Sequence, residues 1–518
     1  MASLNMISAG SDWLSGVFIY SGDEPMLFTR LYFWGFLFLL LLFYALVYRR
    51  SSFRNAYLLV MSLFFYYKSG GYFFSLLVFS TIADYALGHL IYRSKTAGGK
   101  KLFLSTSVFI NLGLLAYFKY AYFLTGIFNN ITGSNSDVVN FPALFYNNIT
   151  GASADISVII LPIGISFFTF QTISYTVDVY REKLKPVDSI TDFGFYVSFF
   201  PQLVAGPIVR AAEFMPQLYS RFKLTVREMG HAIFLIISGL VKKMVISDYI
   251  SANFVDRVFD NPLSFTGFEN LMAVYGYSVQ IYCDFSGYTD IAIGVALLLG
   301  FRLPVNFNSP YKAVNIADFW RRWHISLSSW LRDYLYIPIG GSRKGGIRTF
   351  ANLMITMLLG GLWHGASMKF MVWGGLHGVA LAGHKIFRKI FPGSGKVQKP
   401  PAGIYRFISI FATFNFVSLT WLCFRSETLQ DMNDMIHRIL YSFGGEYIPG
   451  IMAAYGKVFS LMFLALFIHW LPAGLKEDIR GIFIRSSSMI KIFIIVTTVF
   501  IIYQVKSAGI QPFIYFQF

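Results

Sequence analysis

Charge and cysteine are what this 518-residue chain has little of. Only 13% of its residues are Asp, Glu, Lys or Arg, against roughly 25% in an ordinary soluble domain. About half the usual polar coat is missing, which excludes a soluble globular enzyme. The two cysteines, Cys283 and Cys423, lie in apolar stretches and supply neither a disulfide framework nor a CxxC metal site. Acidic residues are scarcer than basic ones, 26 against 43. The HExxH, GxSxG, Walker A and dinucleotide-binding patterns are absent as well. Their absence removes the metalloprotease, hydrolase-fold esterase, P-loop ATPase and Rossmann oxidoreductase readings.

Apolar surface, by contrast, is abundant. Hydrophobic residues make up 55% of the chain and aromatic residues 19%, and the mean hydropathy is +0.56. A chain so composed reads as an all-α polytopic integral membrane protein, because a helix satisfies its own backbone groups in lipid. Apolar segments fall near 31–48, 55–67, 72–92, 102–128, 156–179, 192–209, 230–247, 267–283, 288–301, 349–363, 367–387, 407–424, 455–474 and 491–507. Several are too short to span alone, so about 11 transmembrane helices with re-entrant or half-helices are expected. No repeat or soluble domain stands out, and 1–518 is read as one membrane-embedded domain. Residues 1–29 carry no basic n-region, which predicts insertion by the first internal helix rather than a cleaved signal peptide.

The net charge of +17 does not point to nucleic acid, because the cations sit in short clusters between apolar runs. Arg49, Arg50 and Arg54 form one; Arg93, Lys95, Lys100 and Lys101 another; Arg181, Lys183 and Lys185 a third. Larger groups follow at 302–348 and 385–406, whereas 129–155 holds no Lys or Arg. The positive-inside rule puts the basic loops in the cytoplasm, with 129–155 and the N-terminus outside. With eleven spans the C-terminal tail, 508–518, then ends inside; an even span count or a re-entrant tail would put it outside, as an external relay would need.

Segment 302–348 is the densest polar stretch. Arg321, Arg322, Arg332, Arg343 and Lys344 interleave there with Trp320, Trp323 and Trp330, as in an amphipathic helix at the membrane interface. Two readings stand: a topology-setting loop, or a cytoplasmic lid that gathers an anionic donor. The small residues of GGSRKGG would let backbone N–H groups approach phosphates. The next run, 350–381, is nearly all apolar yet holds His364 and His377. An ionisable residue in hydrocarbon is a functional candidate by default. His364 is flanked by glycines that open space for another chain or a ligand. His377 and His384 share one helical face and read as packing. His324, in RRWHISLSSW, is the other candidate, since imidazole is the usual base for activating a hydroxyl. Two such groups beside a membrane cavity suit acyl transfer to an alcohol, with Trp323, Trp363, Asp284 and Asp333 as supporting candidates. A transporter or flippase would use the same features without covalent chemistry; inverted repeats would favour it, and none is visible.

At these residues the chain resembles the membrane-bound O-acyltransferase family. DFSGYTDIAIG (284–294), FWRRWHISLSSWLRDYLYIPIGG (319–341) and LLGGLWHGAS (358–367) carry the likeness, with LPIGISFFTFQTISYTVDVYR (161–181) and FFPQLVAGPIVR (199–210). The closest branch is that of bacterial alginate O-acetylation, and the likeness runs from about residue 30 to 424. It implies a ring of helices around a central funnel and passage of an acyl group from a cytoplasmic donor to an acceptor outside. His364 maps onto the family's catalytic histidine and His324 onto its His-or-Asn position. The ending PFIYFQF is similar to the C-terminal tyrosine motif of teichoic-acid D-alanylation, which makes Tyr515 a candidate acyl relay; an aromatic anchor is the alternative. The resemblance implies acetyl-CoA as donor, no bound cofactor or metal, a periplasmic acetyltransferase partner protein, a polysaccharide acceptor and residence in the bacterial inner membrane. Teichoic acid, lipid or protein acceptors remain open alternatives.

Overall fold

The computed structural model describes residues 18–22, 24–343, 345–390, 403–505 and 513–514, and every regular element among them is helical. Two compact units divide the chain, Met1–Lys223 and Leu224–Phe518. The first contains α1 (Leu31–Val47), α2 (Ser51–Gly70), α3 (Phe74–Arg93), α4 (Ala97–Leu115), α5 (Ala121–Thr132), α6 (Phe141–Thr150), α7 (Ile165–Tyr180), α8 (Ile190–Ser198) and α9 (Ala211–Leu218). Between α2 and α3 the chain reverses at Gly71, whose φ of 65° is cheap only without a Cβ. Leu59 of α2 and Thr81 of α3 accordingly both meet Gly194 of α8. Asp84 of α3 is wholly buried, and α4 satisfies it: Ser107 Oγ donates at 2.6 Å and Asn111 Nδ2 at 2.7 Å. A carboxylate in hydrocarbon is tolerated on that condition.

The second unit contains α10 (Val226–Leu240), α11 (Gly267–Leu298), α12 (Ile316–Trp320), α13 (Ile325–Trp330), α14 (Gly346–His364), α15 (Met368–Ile390), α16 (Gly403–Thr420), α17 (Leu429–Tyr441), α18 (Gly456–Trp470), α19 (Ala473–Arg485) and α20 (Ser488–Val505). Helix α10 continues through π turns to Asp260. It lies antiparallel to α11, with backbone against backbone where glycines allow it. A Cβ on Gly287 would sit 2.8 Å from the Gly239 carbonyl, and one on Gly294 2.7 Å from that of Ala232. Small residues let membrane helices approach this closely.

Six helical stretches among the described residues are long and apolar enough to cross a bilayer, or seven if the bent pair Gly445–Ala454 and Gly456–Trp470 is one span. The segments read as 267–283 and 288–301 are one helix, α11. The polar DFSGY residues looked like a break, but Asp284, Ser286 and Gly287 all face inward and are buried.

Contacts inside this unit also fix sides. Arg302, at the foot of the basic segment, pairs with Glu228 at the start of α10 (2.6 Å). Lys312 Nζ donates to the Leu471 carbonyl at the end of α18 (2.7 Å), and α19 returns to α10 near Gly230. These ends share the lid side. At the opposite side the Gly267 N–H donates to Ser442 O (2.7 Å), and Arg425 pairs with Asp256 and Asp260 (2.9 Å each). Helix α20 starts on the lid side, packs against Val241–Ser247 and leads away from the lid. Eighteen residues rise roughly 27 Å, so the chain leaves α20 on the far side.

Candidate active site

His364 is the last residue of α14, some nineteen residues or roughly 28 Å along a helix that starts on the lid side. Its ring is 4% exposed and boxed by aromatic neighbours: Trp363 at 5.0 Å between centroids, Phe424 at 5.0 Å and Trp373 at 5.2 Å. The flanking glycines serve the helix itself rather than an incoming ligand. A Cβ on Gly361 would strike the Phe370 carbonyl, one on Gly374 that of Met357, and one on Gly365 the Phe370 ring. They close the α14–α15 hairpin that carries His364.

His324 sits forty residues earlier in sequence and beside the same tryptophan. Its ring lies 6.1 Å from Trp363 and 4.6 Å, edge-on, from Phe285 of α11. The fold thus brings His324 and His364 to the same tryptophan, Trp363. His324 is wholly buried and holds φ 42°, ψ 57°, a left-handed conformation that costs a side-chain-bearing residue roughly 1–2 kcal/mol. Asn306 holds it there, accepting from Ile325 N–H on its carbonyl (3.0 Å) and from Ser326 N–H on its side chain (3.2 Å). Nothing in the local pattern singled out Asn306; it acts across eighteen positions. Burial pushes the His324 imidazole down to about 3, so it is neutral throughout the physiological range. Asn tolerates the left-handed region well, so His324→Asn should keep the backbone and remove only the ring. We expect activity to fall about 10- to 100-fold. Its pH profile between 5 and 8 should keep the wild-type shape, because the lost group does not titrate there; a pH series of initial rates checks both.

The basic segment is not a helix lying flat on the surface. Trp323 and Trp330 are buried, Trp323 against Phe319 (5.7 Å, stacked), Phe307 and Trp421 (5.1 Å each). Trp320 packs on Trp373 and His377. Rings expected among headgroups are therefore core, and Trp323 supports the wall behind His324. The cations stay outside. Side chains of Arg321 and Arg332 are 69% and 62% exposed, and Arg343 is exposed. Asp318 steadies Arg322 (3.0 Å) and Arg321 (3.4 Å). Asp333 binds Arg332 with both oxygens, at 2.7 and 3.1 Å, and so orders the basic face. Lys344 and Tyr515 lie outside the described residues. His377 is packing as expected, its Nε2 3.0 Å from Thr420 Oγ1.

Asp284 is fully buried in α11 and has partners the sequence reading missed. Lys243 Nζ lies 2.5 Å from it and 2.7 Å from Asp248. A lysine and an aspartate stranded in separate apolar runs were the available signal, because buried charges pair. These three residues line a cavity of about 470 Å³ together with Gln280, Arg425 and Ile514. Ile514 and Phe513 are the described part of the tail. The Ile514 N–H donates to Asp284 (3.0 Å), and Phe513 packs on Tyr288 (4.6 Å) and Phe285 (5.9 Å). Phe513 therefore stands one ring, Phe285, away from His324.

The pattern of the family described as MBOAT, membrane-bound O-acyltransferase, matches residues 150–424. This chain belongs to that family. The match spans the candidate histidines, the basic segment and α11, and it makes the chain a multi-pass membrane acyltransferase. A peptidoglycan O-acetyltransferase of Helicobacter pylori is 38% identical over 68% of this chain and 68% of its own. A "Probable alginate O-acetylase" of Azotobacter vinelandii is 37% identical over 79% and 77%. A teichoic acid D-alanyltransferase of Bacillus subtilis is 29% identical over 51% and 69%. Acyltransferase chemistry, rather than transport, is thus the family's business. Among the described residues no group of His, Cys, Asp or Glu could hold a metal ion.

Proposed function

We propose that this chain moves an acetyl group from acetyl-CoA, bound at the basic cytoplasmic face, to a hydroxyl on the far side of the bacterial inner membrane. It would serve O-acetylation of an extracellular polysaccharide or cell-wall glycan. The observation that carries this is one cluster: His364, His324 and Trp363 buried together, exposed arginines on one side, and the tail beside Phe285 on the other. Relatives named for acetylating peptidoglycan and alginate support the choice of group and acceptor class.

In the first step the Tyr515 hydroxyl gives its proton to the His364 imidazole and its oxygen attacks the thioester carbonyl. The C–S bond breaks, an aryl ester forms, and the departing thiolate takes the proton from His364. His324 and Trp363 hold the reacting groups, and Arg321, Arg322, Arg332, Arg343 and Lys344 neutralise the donor's phosphates. An aryl ester suits a relay because phenol, with a pKa near 10, leaves more readily than a sugar alcohol. The acceptor hydroxyl then takes the acetyl group and Tyr515 regains its proton. A periplasmic transferase partner would complete delivery to the polymer. Purified protein incubated with acetyl-CoA should release free thiol and become acetylated. Neither thiol release nor labelling from an intact, correctly inserted preparation would sink the proposal and favour a transporter.

A further inference from the structure

Asp284 poses a problem of charge. Asp248 and Asp284 share the Lys243 ammonium, at 2.7 and 2.5 Å, so the buried group holds two carboxylates and one cation. Its position in α11 is fully buried and flanked by apolar helix. A carboxylate there needs further donors, and the second oxygen of Asp284 accepts one from the backbone N–H of Ile514, 230 residues on. Nothing earlier in the chain substitutes for that amide in the described geometry. Phe513 seats beside it in an aromatic slot of Tyr288 and Phe285, both on α11 within four residues of Asp284. Phe513 and Ile514 are 3% and 4% exposed, although they follow a helix end that is largely exposed. A polar clamp and an apolar slot on one helix thus grip two consecutive residues of the tail.

We propose that Asp284, charged against Lys243, is a latch that docks the C-terminal tail and so positions the residue that follows Ile514. This rests on the reading of Tyr515 as acyl carrier only for its consequence; the docking itself does not need it. Asp284 is then a positioning residue, acting through the tail rather than on the acetyl group. The same arrangement gives the mid-helix aspartate a role: its second oxygen accepts from a backbone amide of the tail.

Replacing Asp284 by Leu tests this by removing the acceptor while Lys243 keeps Asp248 as a partner, so no buried cation is left unpaired. Carboxypeptidase digestion of the full-length protein, followed by intact mass, reads docking. In the wild type trimming should stop by Ile514, because Ile514 and Phe513 are buried. In Asp284→Leu it should run past Phe513, at least 10-fold faster. Asp284→Asn, which keeps an accepting oxygen, should stop where the wild type does. Acetylation of the tail by labelled acetyl-CoA should fall at least 10-fold in the Leu variant and recover in the Asn variant. Thermal unfolding should be unchanged, which a merely structural role would not allow. A Leu variant that unfolds like the wild type and halts digestion at the same residue overturns the latch, as does one whose tail is freed but acetylated at the wild-type rate. Digestion past Phe513 with no acetylation of any variant, wild type included, leaves the latch standing and removes the relay instead.

Discussion

Replacing His364 by Ala is expected to lower acetyl transfer about 10²- to 10⁴-fold, the usual contribution of a positioned general base. Exopolysaccharide acetylation in cells and thiol release by purified protein are the two readouts. The imidazole is buried among Trp363, Trp373 and Phe424, so truncation also leaves a small void. That void costs stability, which His364→Gln separates from chemistry by filling most of the space without supplying a base. Both variants should lose activity alike, while only the alanine should unfold earlier on heating. Full activity in a well-inserted glutamine variant would remove His364 from the reaction.

The second large effect belongs to Tyr515→Phe, which deletes one oxygen from the chain. Phenylalanine serves equally well as an aromatic anchor, so an anchoring role predicts normal acetylation. As a relay, the residue loses its only reactive atom, and glycan acetylation should fall to background. His364 and the basic face stay intact, so slow thioester hydrolysis by water should persist. The carboxypeptidase halt at Ile514 should persist too, since Asp284 binds a backbone amide and not the tyrosine. Loss of glycan acetylation with retained hydrolysis therefore separates delivery from donor cleavage.

How much of this could be read from sequence follows from the range of each interaction. The membrane class and the two histidines were legible, because a low charge fraction and an imidazole in an apolar run are local signals. Their meeting at Trp363 was partly legible, since Trp363 adjoins His364 in sequence and only His324 had to be brought in. The roles of Trp323 and Trp330 were misread: an interleaved Arg/Trp pattern fits a helix at the lipid surface as well as one packed inside the protein. Only the tertiary neighbours Phe307, Phe319 and Trp421 decide between them. The continuity of α11 through 284–287 was hidden because polar residues break a hydropathy run whether or not they are paired. Asn306, Lys243 and Ile514 escaped for a plainer reason. Asn306 bonds Ser326, Lys243 pairs with Asp284 and Ile514 donates to Asp284, all across 20 or more positions, and no spacing rule reaches that far.

Peptide mapping of the acetylated protein bears on the relay with least intervening inference. Trypsin cleaving after Lys506 releases Ser507–Phe518, a peptide whose hydroxyls are those of Ser507 and Tyr515. After brief incubation with isotopically labelled acetyl-CoA, this peptide should carry one acetyl group on Tyr515, labile to mild base as an aryl ester is, and absent when His364 is replaced by Ala. A Tyr515 that stays unmodified while the wild-type protein turns over, or one acetylated equally without His364, would contradict the transfer from donor to tail.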